Sequence, residues 1–174
     1  MRIDPVRIAR LVFGAFLIVA GCPWKVSAQS AILNATGGPA LVKTLSDRDA
    51  AWQLGGGAER LNGALGFGAD IDWVHFPAET KVSPAGPYTY RQPSLNMALA
   101  TLKGTYHFGS DGNDRSVHPF GAAGLSLMVG EGTYGMILLA GGIDWWTSQR
   151  AGIRVEVRGQ FPIMLGVRVG VVFR

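Results

Sequence analysis

Residues 151–174 read AGIRVEVRGQFPIMLGVRVGVVFR. Aliphatic and charged residues alternate almost one for one over Ile153 to Gln160 and again over Val167 to Arg174. One set, Ile153, Val155, Val157, Val167, Val169, Val171 and Phe173, is wholly apolar. The other, Arg154, Glu156, Arg158, Gln160, Arg168 and Arg174, is strongly polar. A period of two means β-strand with its faces in two environments. A soluble sandwich would bury the apolar face and wet the charged one. A membrane barrel would turn the apolar face to lipid and the charged one to its lumen.

The same pattern recurs upstream. Segments of ten to fourteen residues, punctuated by Gly, Pro, Asn, Asp or Ser, predict strands near 50–60, 63–76, 95–108, 117–129, 135–146, 151–161 and 165–174. No segment holds a 3.6-residue period, so the chain reads as all-β. These lengths suit tilted strands that cross a bilayer in roughly 9–11 residues. On 63–76, Leu65, Phe67, Ala69, Ile71 and Trp73 alternate with Gly66, Gly68, Asp70 and Asp72. On 95–108, Ala100, Leu102, Tyr106 and Phe108 oppose Thr101, Lys103, Thr105 and His107; on 135–146, Ile137, Leu139, Ile143 and Trp145 oppose Ala140, Gly142 and Asp144. The 117–129 segment is less decisive.

Taken together, the polar face carries both signs of charge, diluted by Gly, Ala, Ser and Thr. That suits the narrow inside of a small barrel. Asp70, Asp72, Lys103, Asp144, Arg154, Glu156, Arg158 and Arg168 are expected to form an interior network that closes the lumen, because buried charges need partners. Trp73, Tyr106, Trp145, Trp146 and Phe173 fall near strand ends, where interfacial aromatics sit. Seven strands are clear. An even count requires an eighth from 30–45, although Gly37-Gly38-Pro39 interrupts it.

Bulk properties agree. Hydrophobic residues make up 48% and charged residues 16% of the 174 residues, with 25 glycines, and that charge fraction is low for a soluble domain. The formal charge of +4 is misleading. Residues 1–28 hold Arg2, Arg7, Arg10 and Lys25 against Asp4 alone, so of 16 basic and 12 acidic residues, 12 and 11 remain. With no basic cluster left, a nucleic-acid partner is not expected.

Arg2, Arg7 and Arg10, the apolar run Leu11 to Gly21, and Val26-Ser27-Ala28 read as an export signal cleaved after Ala28. A competing site at Val19 to Cys22 would lipidate Cys22, the one cysteine. Cleavage at Ala28 leaves a chain without disulfides or a thiol nucleophile. Beyond the signal no stretch approaches 18 apolar residues, so no transmembrane helix is expected. The chain thus divides into a signal (1–28), an N-terminal segment with a possible first strand (29–49) and a barrel (50–174).

At this point the chain resembles the small outer-membrane β-barrels of the OmpA-like or OmpX-like family. HPFGAAGLSL (118–127), GGIDWWTSQRAGIRVEVR (141–158) and GVRVGVVFR (166–174) carry the resemblance. It covers about residues 50–174 and implies eight antiparallel strands in the bacterial outer membrane. The implied partners are outer-membrane lipid and the barrel assembly machinery, which reads a last strand of this type. Here the aromatic Phe173 is followed by Arg174. Placing the C-terminal strand end in the periplasm puts loop 77–94 outside the cell. Its Tyr88, Tyr90 and prolines would present a semi-rigid surface to an extracellular ligand. Turns at 60–63 and 147–150 and the longer 109–116 connection fall inside.

No catalytic, cofactor or metal signature emerges. GEGTYG (130–135) fits G-x-G-x-x-G, but a strand follows where a dinucleotide site needs a helix, so it reads as a hairpin loop. DGND (111–114) lacks a Glu at the twelfth position of a calcium loop, where Ala122 stands. His75, His107 and His118 share no ligand spacing. Some barrels of this type modify lipid A through a His with Ser and an acid. Here Ser126 and His118 are eight residues apart on one strand, about 26 Å at strand rise. The sequence therefore predicts an all-β transmembrane barrel of structural or surface-interaction role, without enzymatic activity and without a cofactor. A narrow pore, a lipid-modifying enzyme and a soluble periplasmic barrel with an apolar ligand are the alternatives. The last would require the apolar sets to point inward.

Overall fold

A computed structural model describes residues 31–43, 48–83, 86, 88–109, 116–130 and 132–174. The export signal, its cleavage at Ala28 and Cys22 lie outside the described residues. Ten strands follow in order: β1 (Ala31–Lys43), β2 (Arg48–Asn62), β3 (Leu65–Phe76), β4 (Glu79–Val82), β5 (Thr89–Gln92), β6 (Leu95–His107), β7 (Val117–Val129), β8 (Thr133–Trp146), β9 (Ala151–Phe161) and β10 (Met164–Phe173). Eight of them close an antiparallel barrel in the order β1-β10-β9-β8-β7-β6-β3-β2, while β4 and β5 pair only with each other.

The register sets the shape. Ladder partners lead from Ile32 to Glu59, Gly68, Lys103, Gly124, Leu138, Gln160 and Met164, and return to Val42. That is ten residues further along the starting strand. Eight strands with this displacement tilt by about 40° and enclose an interior just wide enough for side chains. Closure also gives every barrel strand two neighbours, so the barrel itself has no open edge.

The eighth strand is β1, and Gly37-Gly38-Pro39 does not break it. Its pairing with β2 runs unbroken from Ala31 to Lys43. Pairing with β10 lapses at Gly38 and Pro39 and resumes in the same register at Ala40. Proline has no N–H to give the ladder. A Cβ at Gly38 would collide with the Val167 carbonyl, so glycine is what lets β1 and β10 approach there.

The two faces are inverted relative to a soluble protein. Phe67 and Leu125 are 67% and 69% exposed, whereas Arg154 and Arg158 are 0% and 1%. Large apolar side chains are exposed on all eight barrel strands, and buried charge is otherwise rare. Ile153, Val155, Val157, Val167, Val169, Val171 and Phe173 all face outward. A soluble barrel with an apolar inner cavity is thereby contradicted. Among the described residues no helix is long and apolar enough to cross a membrane, which says nothing of strands.

One end of the barrel carries the chain's first and last strand ends, the Gly63-Ala64 turn (Gly63 at φ 62°) and the 147–150 turn; we call it the terminal end. The distal end carries the connections after β1 and β7, the Pro162-Ile163 turn and the β4–β5 hairpin. The sequence predicts a loop over 77–94, but Glu79–Val82 and Thr89–Gln92 pair within it. Two four-residue strands are too short to show a period, and the surrounding prolines mask them.

Because Val157 lies mid-strand and outward, Val157→Arg is expected to lower stability in lipid vesicles by about 2–4 kcal/mol. Urea titration of the folded protein checks this, and an unchanged midpoint would contradict the assigned faces.

Candidate functional site: the lumen charge network

All eight residues expected in the interior network lie inside the barrel and are at most 5% exposed. They form two layers. In the middle stand Asp70 and Asp72 on β3, Lys103 on β6, Glu156 and Arg158 on β9, and Arg168 on β10, three acids and three bases. Glu156 and Arg158 are two residues apart, hence on one face, and Arg158 Nε donates to Glu156 Oε1 at 2.6 Å. Its Nη1 donates to Asp72 Oδ2 at 3.1 Å and its Nη2 to Asp70 Oδ2. β9 and β3 are four strands apart in either direction, so Arg158 reaches across the full width of the lumen. Lys103 Nζ donates to Asp70 Oδ2 at 2.9 Å. Arg168 Nη1 donates to Asp72 Oδ1 at 2.7 Å and its Nη2 to Thr36 Oγ1 on β1.

Nearer the terminal end, Arg154 binds Asp144 with two parallel hydrogen bonds, Nε to Oδ1 at 2.6 Å and Nη2 to Oδ2 at 2.7 Å. The pair is local, since Asp144 and Arg154 face each other across β8 and β9. The guanidinium also lies 4.5 Å from the Phe120 ring centroid, a cation–π contact. Glu59 on β2 meets His107 Nε2 on β6 at 2.8 Å, reaching over β3.

Inward glycines make this packing possible. A Cβ at Gly55 would strike Asp72 Oδ1, one at Gly57 Asp70 Oδ1, and one at Gly66 Glu59 Oε1. Gly66 and Gly68 on β3 clear the path over which Glu59 reaches His107. These glycines are the seats of the carboxylates.

Apolar residues cap both ends of the lumen. Ile32, Trp146 and Val172 cluster at the terminal end. Ala40, Val42, Ala51, Val74, Met97, Leu99, Met128, Met136 and Met164 cluster at the distal end. Trp146 corrects an expectation. As an interfacial aromatic it would face outward, but it is 8% exposed and inside, with the Arg174 guanidinium 3.9 Å from its ring centroid. Consecutive strand residues must face opposite ways, and Trp145 is the outward one. Trp73, Tyr106, Trp145 and Phe173 do face outward, Trp73 toward the distal end and the other three toward the terminal end.

The apolar caps were not foreseen, although parity could have found them. Val74 shares the face of Asp72, Met97 and Leu99 that of Lys103, and Met128 that of Ser126. Between the charges and the distal cap lies a layer of neutral polar groups. Ser126 Oγ lies 2.9 Å from Thr101 Oγ1 and accepts from Gln160 Nε2 at 3.2 Å. Ser126 is thus engaged in the lumen, away from the lipid face that a lipid-modifying site would need. His75 Nδ1 lies 2.8 Å from Asn96 Oδ1. Gly130 N donates to the Gly132 carbonyl at 2.9 Å between β7 and β8, and Thr133, Tyr134 and Gly135 of GEGTYG already belong to β8, while DGND lies outside the described residues. Among the described residues no group of His, Cys, Asp or Glu could hold a metal.

Replacing Arg158 by Met leaves three carboxylates without their shared cation, and a loss of about 3–5 kcal/mol is expected. Gly57→Ala, which overpacks the Asp70 seat, should cost about 1–3 kcal/mol. Urea unfolding of the lipid-embedded protein measures both; stability equal to the parent in the Arg158 variant would mean the network does not hold the walls.

No family profile and no curated sequence matches the chain. Among solved structures it is similar to Neisserial surface protein A, at 12% identity and a TM-score of 0.59, over 84% of this chain and 99% of that one. It is also similar to the N-terminal β-barrel domain of Pseudomonas aeruginosa OprF, at 15% identity and a TM-score of 0.53, over 82% and 95%. At these identities the likeness is one of fold. The chain has the fold of these small barrels, eight antiparallel strands closed into one sheet.

Proposed function

We propose that the protein is an integral outer-membrane barrel with a structural or surface-interaction role, its lumen closed by ion pairs. The observation that carries this is Arg158, tied to Asp70 and Asp72 on the opposite wall. An ion entering the lumen would have to displace a cation held by three carboxylates. It would also have to pass two apolar caps, each costly for a charge to cross. A structural role is the natural use of such a packed interior.

In this reading the terminal end faces the periplasm and the distal end the cell exterior. The β4–β5 hairpin then projects into the medium. Ser83 N donates to the Tyr88 carbonyl at 2.7 Å and closes it. Tyr88 and Tyr90 are 75% and 50% exposed, and two large amphipathic rings on a stiff ribbon suit contact with an extracellular partner.

Three measurements test the proposal. The protein should fractionate with the outer membrane, resist urea washing and change gel mobility on boiling, and reconstituted bilayers should show no steady conductance. Excision of residues 79–92 should leave the boiling-dependent shift intact, because β4 and β5 pair with no barrel strand. The same excision should abolish binding of cells to surfaces or host matrix. A soluble periplasmic product would overturn the location, steady conductance would overturn the closed lumen, and unchanged surface binding would overturn the hairpin's role.

A further inference from the structure

The chain has five methionines, and the four after Met1 all meet in the distal cap of the lumen. Met97, Met128, Met136 and Met164 come from β6, β7, β8 and β10, are 2–5% exposed and belong to one apolar cluster. Their placement follows from register. Leu99 faces Met128 across β6 and β7, which sets Met97 diagonal to Met128; Ser126 faces Met136 across β7 and β8, which sets Met128 diagonal to Met136. Diagonal partners are within reach of long side chains. Gly130, at the head of the next turn, leaves the space Met97 fills: a Cβ there would stand 2.8 Å from its Cγ.

A second observation concerns what lies beneath. Gln53 is 2% exposed, and neither its Nε2 nor its Oε1 has a hydrogen-bond partner among the described residues; nor has Gln160 Oε1. The Gln53 amide nitrogen sits over Gly166, two residues along the same inward face from Met164, and Gln160 faces Met164 across β9 and β10. The cap of thioethers therefore rests on amide groups that are not fully used.

We infer that the distal methionines form an oxidant-accepting site, and that their sulfoxides unseal the outer mouth of the lumen. The oxidant is hydrogen peroxide. A sulfur lone pair attacks one peroxide oxygen, and the O–O bond breaks as the S–O bond forms. The departing oxygen takes the proton of the transferred hydroxyl and leaves as water. Sulfur loses two electrons, and the peroxide gains them. The product exchanges a flexible apolar side chain for a polar one. Its oxygen is an acceptor that the Gln53 Nε2 donor can satisfy, so the oxidised state has a partner waiting beneath it. Water then reaches the hydroxyl and amide layer, while the charge network below keeps the lumen shut to ions. The inference rests on the closed-lumen reading and on the distal end facing the cell exterior.

The test uses the folded, lipid-embedded protein. Peptide mass spectrometry after hydrogen peroxide treatment should find one added oxygen on the cap methionines while the boiling-dependent mobility shift is retained. Access is read separately, with Ser126→Cys as a reporter directly beneath the cap, alkylated by a charged, water-borne thiol reagent. Adding Met128→Gln and Met136→Gln, which imitate the sulfoxide, should raise the alkylation rate at least about tenfold, in keeping with exposure of a formerly apolar interior. Should the double glutamine variant fail to fold, Met136→Gln alone serves. Cap methionines left unoxidised in the folded protein, or alkylation unchanged by glutamine, would overturn the inference. Fast alkylation of Ser126→Cys with the methionines intact would instead overturn the closed-lumen reading.

Discussion

A guanidinium that spans the lumen organises this barrel. Arg158 leaves β9 and ends on Asp70 and Asp72 of β3, on the opposite wall. A charge buried this deeply must be compensated, and one cation cannot satisfy two aspartates and Glu156. Lys103 and Arg168 complete the balance, each from a further strand. The set closes on itself at three acids and three bases. Each carboxylate needs room, and the facing strand supplies it by giving up its Cβ at Gly55 and Gly57. What looks like weak strand sequence, LGGGA in β2, is the negative image of the acids on β3.

Much of this was legible in the sequence, because alternation reports directly on which side chains share a face. All eight network residues could be placed inside on parity alone. Their partners could not. Asp144 and Arg154 are ten residues apart and pair across one hairpin, whereas Arg158 lies 86 and 88 residues from its aspartates. The latter contacts depend on the ten-residue displacement around the barrel, which accumulates over all eight ladders and is written in no single segment. The misplacement of Trp146 was different in kind. Position near a strand end suggests an interfacial ring, but parity with Asp144 on the same strand fixes its side as inward. β1, the eighth strand expected from 30–45, shows why the signal there is weak: Gly-Gly-Pro signals a turn in isolation, but a strand bonded on both sides tolerates a lapse in one ladder while the other holds.

The lumen is stratified along its axis. An apolar cap of Ile32, Trp146 and Val172 is followed by the Arg154–Asp144 and Glu59–His107 pairs, then the six-membered network, then hydroxyls and amides, then the distal cap. The order has a physical sense. Caps exclude water, and exclusion strengthens every ion pair between them, since the same charges attract far more in a medium of low dielectric. It also raises the cost of any charge left alone. On the proposed reading of a closed lumen, stability and closure come from one arrangement.

The two caps are not made alike. The terminal one uses a β-branched pair and an indole, stiff groups with few rotamers. The distal one uses four thioethers beside Val42, Val74 and Leu99. Methionine fills irregular space well, and the distal mouth is irregular, bounded by the tight turns after β7 and β9 and by the hairpin after β3. Yet methionine would serve equally on the outer wall, where Leu, Ile and Val are used throughout and no methionine among the described residues is exposed. Shape alone explains the use of adaptable side chains there. That every barrel methionine stands there, above an amide whose hydrogen bonds are unused, ties the cap's composition to the chemistry of sulfur as well as to its fit.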